Sequence, residues 1–312
     1  MHPAFSVILF TTLSGLGYGL AIMLSLGLLP PEYVSVKIGY FLALVLITAG
    51  LLSSTLHLGN PQRAWRAFSQ WRSSWLSREG VLAVITYIPL TLQAFLVIFH
   101  DEFLPELGWL IVLLCLATVY CTGMIYASLK SVATWHTPLT PLNYVLFSLA
   151  SGGLFFLLFA SFSVSIETTG FVLVAMLVIA AWTAKWRWAE RARETGMGTS
   201  TLASATGLGD LGKVRLLERP HVTENYLTNE MGFRVGRKHA GLLWRIALLS
   251  GFVVPVLAIA FSMPGVLDNH AGLLLFIGML SMMIGLIVER WLFFATAKHV
   301  VSLYYDLPDA AE

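Results

Sequence analysis

The sequence predicts an all-α membrane protein, a bundle of eight transmembrane helices with both termini on the cytoplasmic side. Three observations lead there. Of the 312 residues, 57% are hydrophobic and 12% are charged, roughly half the charge density of an ordinary soluble domain, so lipid is the main solvent. The apolar residues arrive in long unbroken runs, Ala4 to Leu29 and Gly108 to Leu129 among them, each long enough to cross a hydrocarbon core of about 30 Å as a helix. The basic residues gather in alternate connections between those runs.

Hydropathy places the spans at about 4–29, 36–58, 79–99, 107–129, 141–163, 168–187, 240–264 and 270–300, all in one integral membrane domain. The first follows Met1-His2-Pro3, which has no basic n-region, and it exceeds the roughly 7–15 residues of a signal-peptide core. It is expected to be a permanent span. Pro30-Pro31 ends it, and the arginine-rich stretch Arg63 to Arg78 separates spans two and three. His100-Asp101-Glu102, then Pro138 with Pro141, then Glu167, and finally Asp268-Asn269-His270 mark the later breaks. Cys115 and Cys121 fall inside span four, six apart, without the spacing of a zinc or iron–sulfur site. They read as small buried hydrophobes, and no metal site is expected in this chain.

Charge sets the orientation. Arg63, Arg66, Arg72 and Arg78, then Lys130, then Lys185 through Lys238, and finally Lys298 all fall on one side. The other side carries Lys37 with Glu32, Asp101, Glu102, Glu106, Glu167 and Asp268. The positive-inside rule makes the basic side, and both termini, cytoplasmic in a bacterial inner membrane. The segment 190–238 is the one sizeable stretch outside the spans. Its mix of Gly196-Met197-Gly198-Thr199-Ser200 with charges suits a loop with one short helix, followed by a more ordered Tyr226 to Phe233. A loop this long is either disordered or held by a partner. The apolar Leu216, Leu217, Tyr226 and Phe233 among its charges favour a partner.

Residues able to carry chemistry gather at the same end. His57 closes span two, His136 lies in the four–five connection, His239 opens span seven and His299 closes span eight. Interfacial histidines bonded to backbone explain each singly; four at one depth suggest more. The segment Leu56-His57-Leu58-Gly59-Asn60-Pro61-Gln62-Arg63-Ala64-Trp65-Arg66-Ala67-Phe68 is the most distinctive in the sequence, with Trp71, Trp75, Ser77, Arg78 and Glu79 close behind. Belt tryptophans and snorkelling arginines account for part of it. They do not account for the histidine or the Gly-Asn-Pro turn. A quinone site needs an apolar slot, donors for the carbonyl oxygens and a titratable group, which imidazole supplies. Inside the spans, Arg245 lies about one turn into span seven, and Glu289 and Arg290 lie well inside span eight. Charge at such depth faces the bundle interior and pairs, either as a structural ion pair between spans seven and eight or as a proton route.

In these residues the sequence resembles the anchor subunits of the dimethyl sulfoxide reductase family, over essentially all eight spans. The markers are His57-Leu58-Gly59-Asn60-Pro61 with Arg63-Ala64, Thr134-Trp135 with Thr137-Pro138, Arg245-Ile246 with Leu248-Leu249, and Arg290 with Phe293 and His299. The resemblance implies an anchor that exchanges electrons with quinone, ubiquinone or menaquinone. It implies cytoplasmic-face partners: a four-cluster iron–sulfur subunit and a molybdopterin catalytic subunit. The family's quinone-site histidine matches His57, the one residue to which that role is carried. Around it Gly59, Pro61, Arg63, Trp65 and Arg66, with Trp135 and His136, are the candidate quinone-binding residues. His2-Pro3-Ala4, Ser6-Val7-Ile8, Phe10-Thr11-Thr12-Leu13-Ser14-Gly15 and the long loop before span seven are similar to the anchors of cytoplasmic sulfite dehydrogenases. A cytoplasmic basic face suits that branch, because an exported reductase needs the opposite orientation. The runner-up is the anchor of a sulfoxide or polysulfide enzyme. A haem b protein, with His57 paired to His136, His239 or His299, is a third reading. A secondary transporter fits less well, since neither an internal repeat nor a midplane charge cluster is visible. Nothing points to nucleic acid.

Overall fold

A computed structural model describes residues 4–55, 60–163, 167–218 and 238–305. Regular structure among them is entirely helical, and eight helices are long and apolar enough to cross a membrane. They are α1 Phe5–Ser25, α2 Val34–Thr55, α3 Trp75–His100, α4 Pro105–Ala127, α5 Leu139–Ala160, α6 Thr168–Thr195, α7 Ala240–Phe261 and α8 Ala271–Ala295. The protein is a multi-pass membrane protein with the eight helical spans that the sequence predicts.

Several helix ends differ from expectation: α8 stops at Ala295, which leaves His299 beyond the helix and not closing it, and three other ends shift for a clear local reason. Helix α1 stops at Ser25, because Gly27 adopts φ 68° just beyond it and turns the backbone through the left-handed region that glycine enters most easily. Helix α3 starts at Trp75, where the Ser74 hydroxyl accepts a hydrogen bond from the Ser77 amide as an N-cap. Ser77, Arg78 and Glu79 therefore belong to the first turns of a helix, not to a loop. Helix α6 runs to Thr195, because its buried stripe Val178, Ala181, Trp182, Lys185 and Trp188 keeps the three–four spacing of one helical face past the expected end. That moves Lys185 out of the six–seven connection and into the bundle.

Helices α1 and α5 form the centre, with 72% of their central windows buried against 28–39% for α2, α3, α6, α7 and α8. Lipid offers little hydrophobic drive for one helix to leave it for another, so close backbone approach at small residues holds such bundles together. Gly19 of α1 and Gly152 of α5 face each other so closely that a Cβ on either would overlap the partner backbone. A Cβ on Gly285 of α8 would likewise overlap the backbone of Gly251 of α7.

Helix α7 is interrupted by a π-helical turn, Leu249–Val253. Pro255 follows and has no N–H to offer the Gly251 carbonyl four residues back. The indole of Trp182 donates to that carbonyl instead, at 2.8 Å, while the Ser281 hydroxyl donates to the Ser250 carbonyl, also at 2.8 Å. The broken helix is thus stitched from α6 and α8, as irregular backbone at membrane depth requires.

The two ends of the bundle differ in charge. Lys37, the lysine of the acidic end, is paired with Asp101 at 2.6 Å. At the basic end a 3-10 segment, Pro61–Gln70, precedes α3. A short helix, Leu202–Thr206, follows α6 and is closed by a Thr201/Ser204 capping box. It packs on the 3-10 turn Val300–Tyr305, where the Tyr304 hydroxyl donates to the Ala205 carbonyl at 2.7 Å. The expected ordered stretch Tyr226 to Phe233 lies outside the described residues.

Candidate functional site

His57 and Gly59 lie outside the described residues; the segment from Asn60 onward lies within them. Pro61 opens the 3-10 turn at a position where its missing N–H costs nothing. Arg63, Trp65 and Arg66 are exposed, and the Arg66 guanidinium lies 5.8 Å from the Trp65 ring centroid. The segment is tied down onto α3. The Ser77 hydroxyl donates to the Ala67 carbonyl, Phe68 packs over Gly80, and Arg78 reaches back to the Trp71 and Arg72 carbonyls at 3.0 and 2.7 Å. One turn into α3, Glu79 is buried and accepts a hydrogen bond from the Thr122 hydroxyl of α4 at 2.7 Å.

A second cluster lies deeper, between α5, α6 and α8. Lys185 Nζ sits 2.5 Å from one carboxylate oxygen of Glu289, and Arg290 Nε is 3.4 Å from the other. All three side chains are buried. Aromatic rings enclose the two cations: Lys185 lies 3.7 Å from the Trp188 centroid and Arg290 3.8 Å from that of Tyr144. Such cation–π contacts are worth about 2 kcal/mol when desolvated. The expected pairing of spans seven and eight is not what forms. The partner of Glu289 comes from α6, and Arg245 is exposed on the surface of α7.

Trp135 and His136 part company. The Trp135 ring is buried, stacks on Phe293 at 5.1 Å and donates its indole N–H to the Phe293 carbonyl at 3.1 Å, pinning the four–five connection to α8. His136 is exposed, with Nδ1 2.6 Å from the Ala127 carbonyl, so the neutral ring carries its proton there and presents Nε2 outward. His239 is exposed at the N-cap of α7. His299 Nδ1 accepts the Val301 amide at 3.1 Å, and partial burial holds its imidazole below the ordinary histidine pKa. Each of these three histidines is thus placed by its own local structure. Among the described residues no group of three or more His, Cys, Asp or Glu side chains is arranged to hold a metal ion.

A cleft of about 380 Å³ opens at the basic end between α6, α7 and α8, with Lys185 in its wall beside Trp188, Trp244 and Phe293. Lys185 thus belongs both to the buried ion cluster and to the wall of this cleft.

The family model for the DMSO reductase anchor subunit (DmsC) matches residues 1–296. The protein belongs to this family. As an anchor subunit it is 34% identical to the C subunit of sulfite dehydrogenase from Allochromatium vinosum, over 98% of this sequence and 99% of the relative. It is 31% identical to the C component of anaerobic dimethyl sulfoxide reductase from Escherichia coli, over 35% of this sequence and 39% of that one. No solved structure matches it. The family resemblance read from the His57 segment and the later markers is borne out.

Two residues of this anchor subunit are not anticipated from the sequence. Glu79 reads there as the tail of the arginine-rich segment, although Ser74, three residues before Ser77, is a capping signal that starts the helix earlier. Lys185 reads as a loop charge, although Trp182 and Trp188, three residues to either side, mark it as part of the buried stripe.

Proposed function

We propose that this anchor subunit holds an iron–sulfur subunit and a molybdopterin catalytic subunit on the cytoplasmic face. In that complex it passes electrons from cytoplasmic sulfite oxidation to the quinone pool. The similarity to the C subunit of a sulfite dehydrogenase, along nearly the whole of both sequences, supports the substrate class. The observation that carries the quinone chemistry is Glu79, a buried carboxylate held by Thr122 and lying in sequence between Ser77 and Gly80, the two α3 residues that meet the Pro61–Gln70 segment.

A bound quinone accepts two electrons and two protons. The residues present fit that need: the exposed rings of Trp65, Phe68 and Trp71 offer faces for a flat apolar head group, and Arg63 and Arg66 offer donors. His57, four residues before Pro61 in the sequence, adds an imidazole able to take up and release a proton. Glu79 is the second group able to hold a proton there, and Thr122 fixes its orientation. Partner docking draws support from the segments flanking the site. Leu211 is 85% and Leu217 93% exposed beyond the end of α6, an arrangement that water disfavours and a protein partner would cover.

The test is a strain lacking this anchor but retaining both partner subunits. The soluble subunits should leave the membrane fraction and keep sulfite oxidation with an artificial acceptor, while sulfite-dependent quinone reduction is lost. Undiminished quinone reduction without the anchor would refute the reading.

A further inference from the structure

The cleft between α6, α7 and α8 plays no part in the proposed quinone chemistry, yet its wall is built for an anion. Lys185, Glu289 and Arg290 make a buried cluster of two cations and one carboxylate. One positive charge is left without an opposite in a setting where desolvated charge is costly. Lys185 is the member that reaches the cleft, and Arg193 and Lys298 lie at its rim. The first residues of α7, Ala240 and Gly241, form the opposite wall. His239 gives that helix no side-chain cap, and a helix start favours negative charge close by. Thr134 also lines the cleft, and its buried hydroxyl has no hydrogen-bond partner among the described residues.

We propose that this cleft binds the phosphate head group of an anionic phospholipid. Its depth is that of a head group, because α6 and α8 end beside it and α7 begins there. The apolar part of the wall, Trp188, Trp244, Leu292 and Phe293, suits the first carbons of acyl chains, and ring faces of this kind are favoured at membrane interfaces. Basic pockets between transmembrane helices on the cytoplasmic side are a recognised lipid-binding arrangement. A neutral quinone would leave the charge of the cluster unbalanced. Free phosphate would balance it but make no use of the apolar wall. The bound lipid neutralises the cluster and bridges α6, α8 and the first turn of α7, whose Ala240, Gly241 and Trp244 line the cleft.

The experiment uses the intact complex, stripped of lipid in detergent and titrated with dioctanoyl phosphatidylglycerol, with bound copies counted by native mass spectrometry. Parallel arms use dioctanoyl phosphatidylcholine, inorganic phosphate and a short-chain ubiquinone as competitors. One saturable phosphatidylglycerol site is expected, insensitive to phosphatidylcholine and ubiquinone, and displaced by phosphate only at far higher concentration. Each basic side chain near a head group is worth about fivefold in affinity, so Arg193→Gln should weaken binding about fivefold. Arg193 is an exposed lining residue, so this variant tests the site even where Lys185→Met disturbs assembly. Parent-like affinity in the Arg193→Gln variant would overturn the proposal. So would equal binding of phosphatidylcholine, displacement by ubiquinone, or displacement by phosphate at the same concentration as the lipid.

Discussion

Replacing Glu289 by leucine should be far more damaging than replacing Lys185 by methionine, although the two side chains form one ion pair. Among the described residues the ion pairs of Lys185 and Arg290 run to Glu289. Glu289→Leu therefore strands two buried cations side by side. Removing one partner of a buried pair costs about 3–5 kcal/mol, and the rings of Trp188 and Tyr144, already in place over the cations, offer no new compensation. Lys185→Met instead leaves Glu289 with Arg290 at 3.4 Å, a neutral pair, and removes the surplus charge. Its loss is confined to one charge-assisted hydrogen bond and two cation–π contacts, a close one to Trp188 and a longer one to Phe293, offset by the removal of a buried cation, for a net of about 1–2 kcal/mol. The gap between the two variants is thus about 1–4 kcal/mol. Unfolding of the purified protein by sodium dodecyl sulfate in mild detergent, followed by tryptophan fluorescence, measures it. A Lys185→Met variant as unstable as Glu289→Leu would refute the reasoning, as would a Glu289→Leu variant of parental stability.

Three further outcomes are expected from other parts of the structure. Trp182→Phe keeps the ring but orphans the Gly251 carbonyl left free by Pro255, and should cost about 1–2 kcal/mol in the same unfolding assay; an unchanged midpoint would mean that the stitch contributes nothing. Deleting residues 200–217, which include the exposed Leu211 and Leu217, should release partner subunits into the soluble fraction, and full membrane-bound activity after the deletion would count against that segment as a docking surface. A reporter active only in the cytoplasm should work when fused after Glu312, whereas activity of alkaline phosphatase there would reverse the orientation inferred from charge.

The bundle was legible because lipid imposes a coarse rule, and long apolar runs with polar breaks have few other solutions. Helix ends were less legible. The hydropathy of α6 falls where Lys185, Arg187 and Glu190 appear, yet the helix continues, since a buried ring on either side of Lys185 and the carboxylate of Glu289 outweigh the loss of apolar character. Pairing could not be read at all. Sequence places Arg245, Glu289 and Arg290 in neighbouring spans, but which of them meet depends on helix rotation. Arg245 turns outward while α6, a span away in sequence, supplies the partner. At the candidate site, the 3-10 segment was visible as a motif. The role of α3 behind it was not, because Glu79 becomes interesting only once Ser74 caps the helix and Thr122 of α4 is seen to reach it.

The most direct test of the quinone-reactive anchor is to compare two activities of the same membrane-bound complex carrying His57→Phe or Glu79→Gln. Each change keeps size and packing but removes a group able to take up a proton, and such groups contribute typically about 10²–10⁴-fold to a proton-coupled step. Sulfite-dependent quinone reduction should fall on that scale in either variant, while sulfite oxidation with an artificial acceptor, which takes electrons before they reach the anchor, stays near the parent rate. Fully assembled complexes in which both variants reduce quinone at the parental rate would contradict the account.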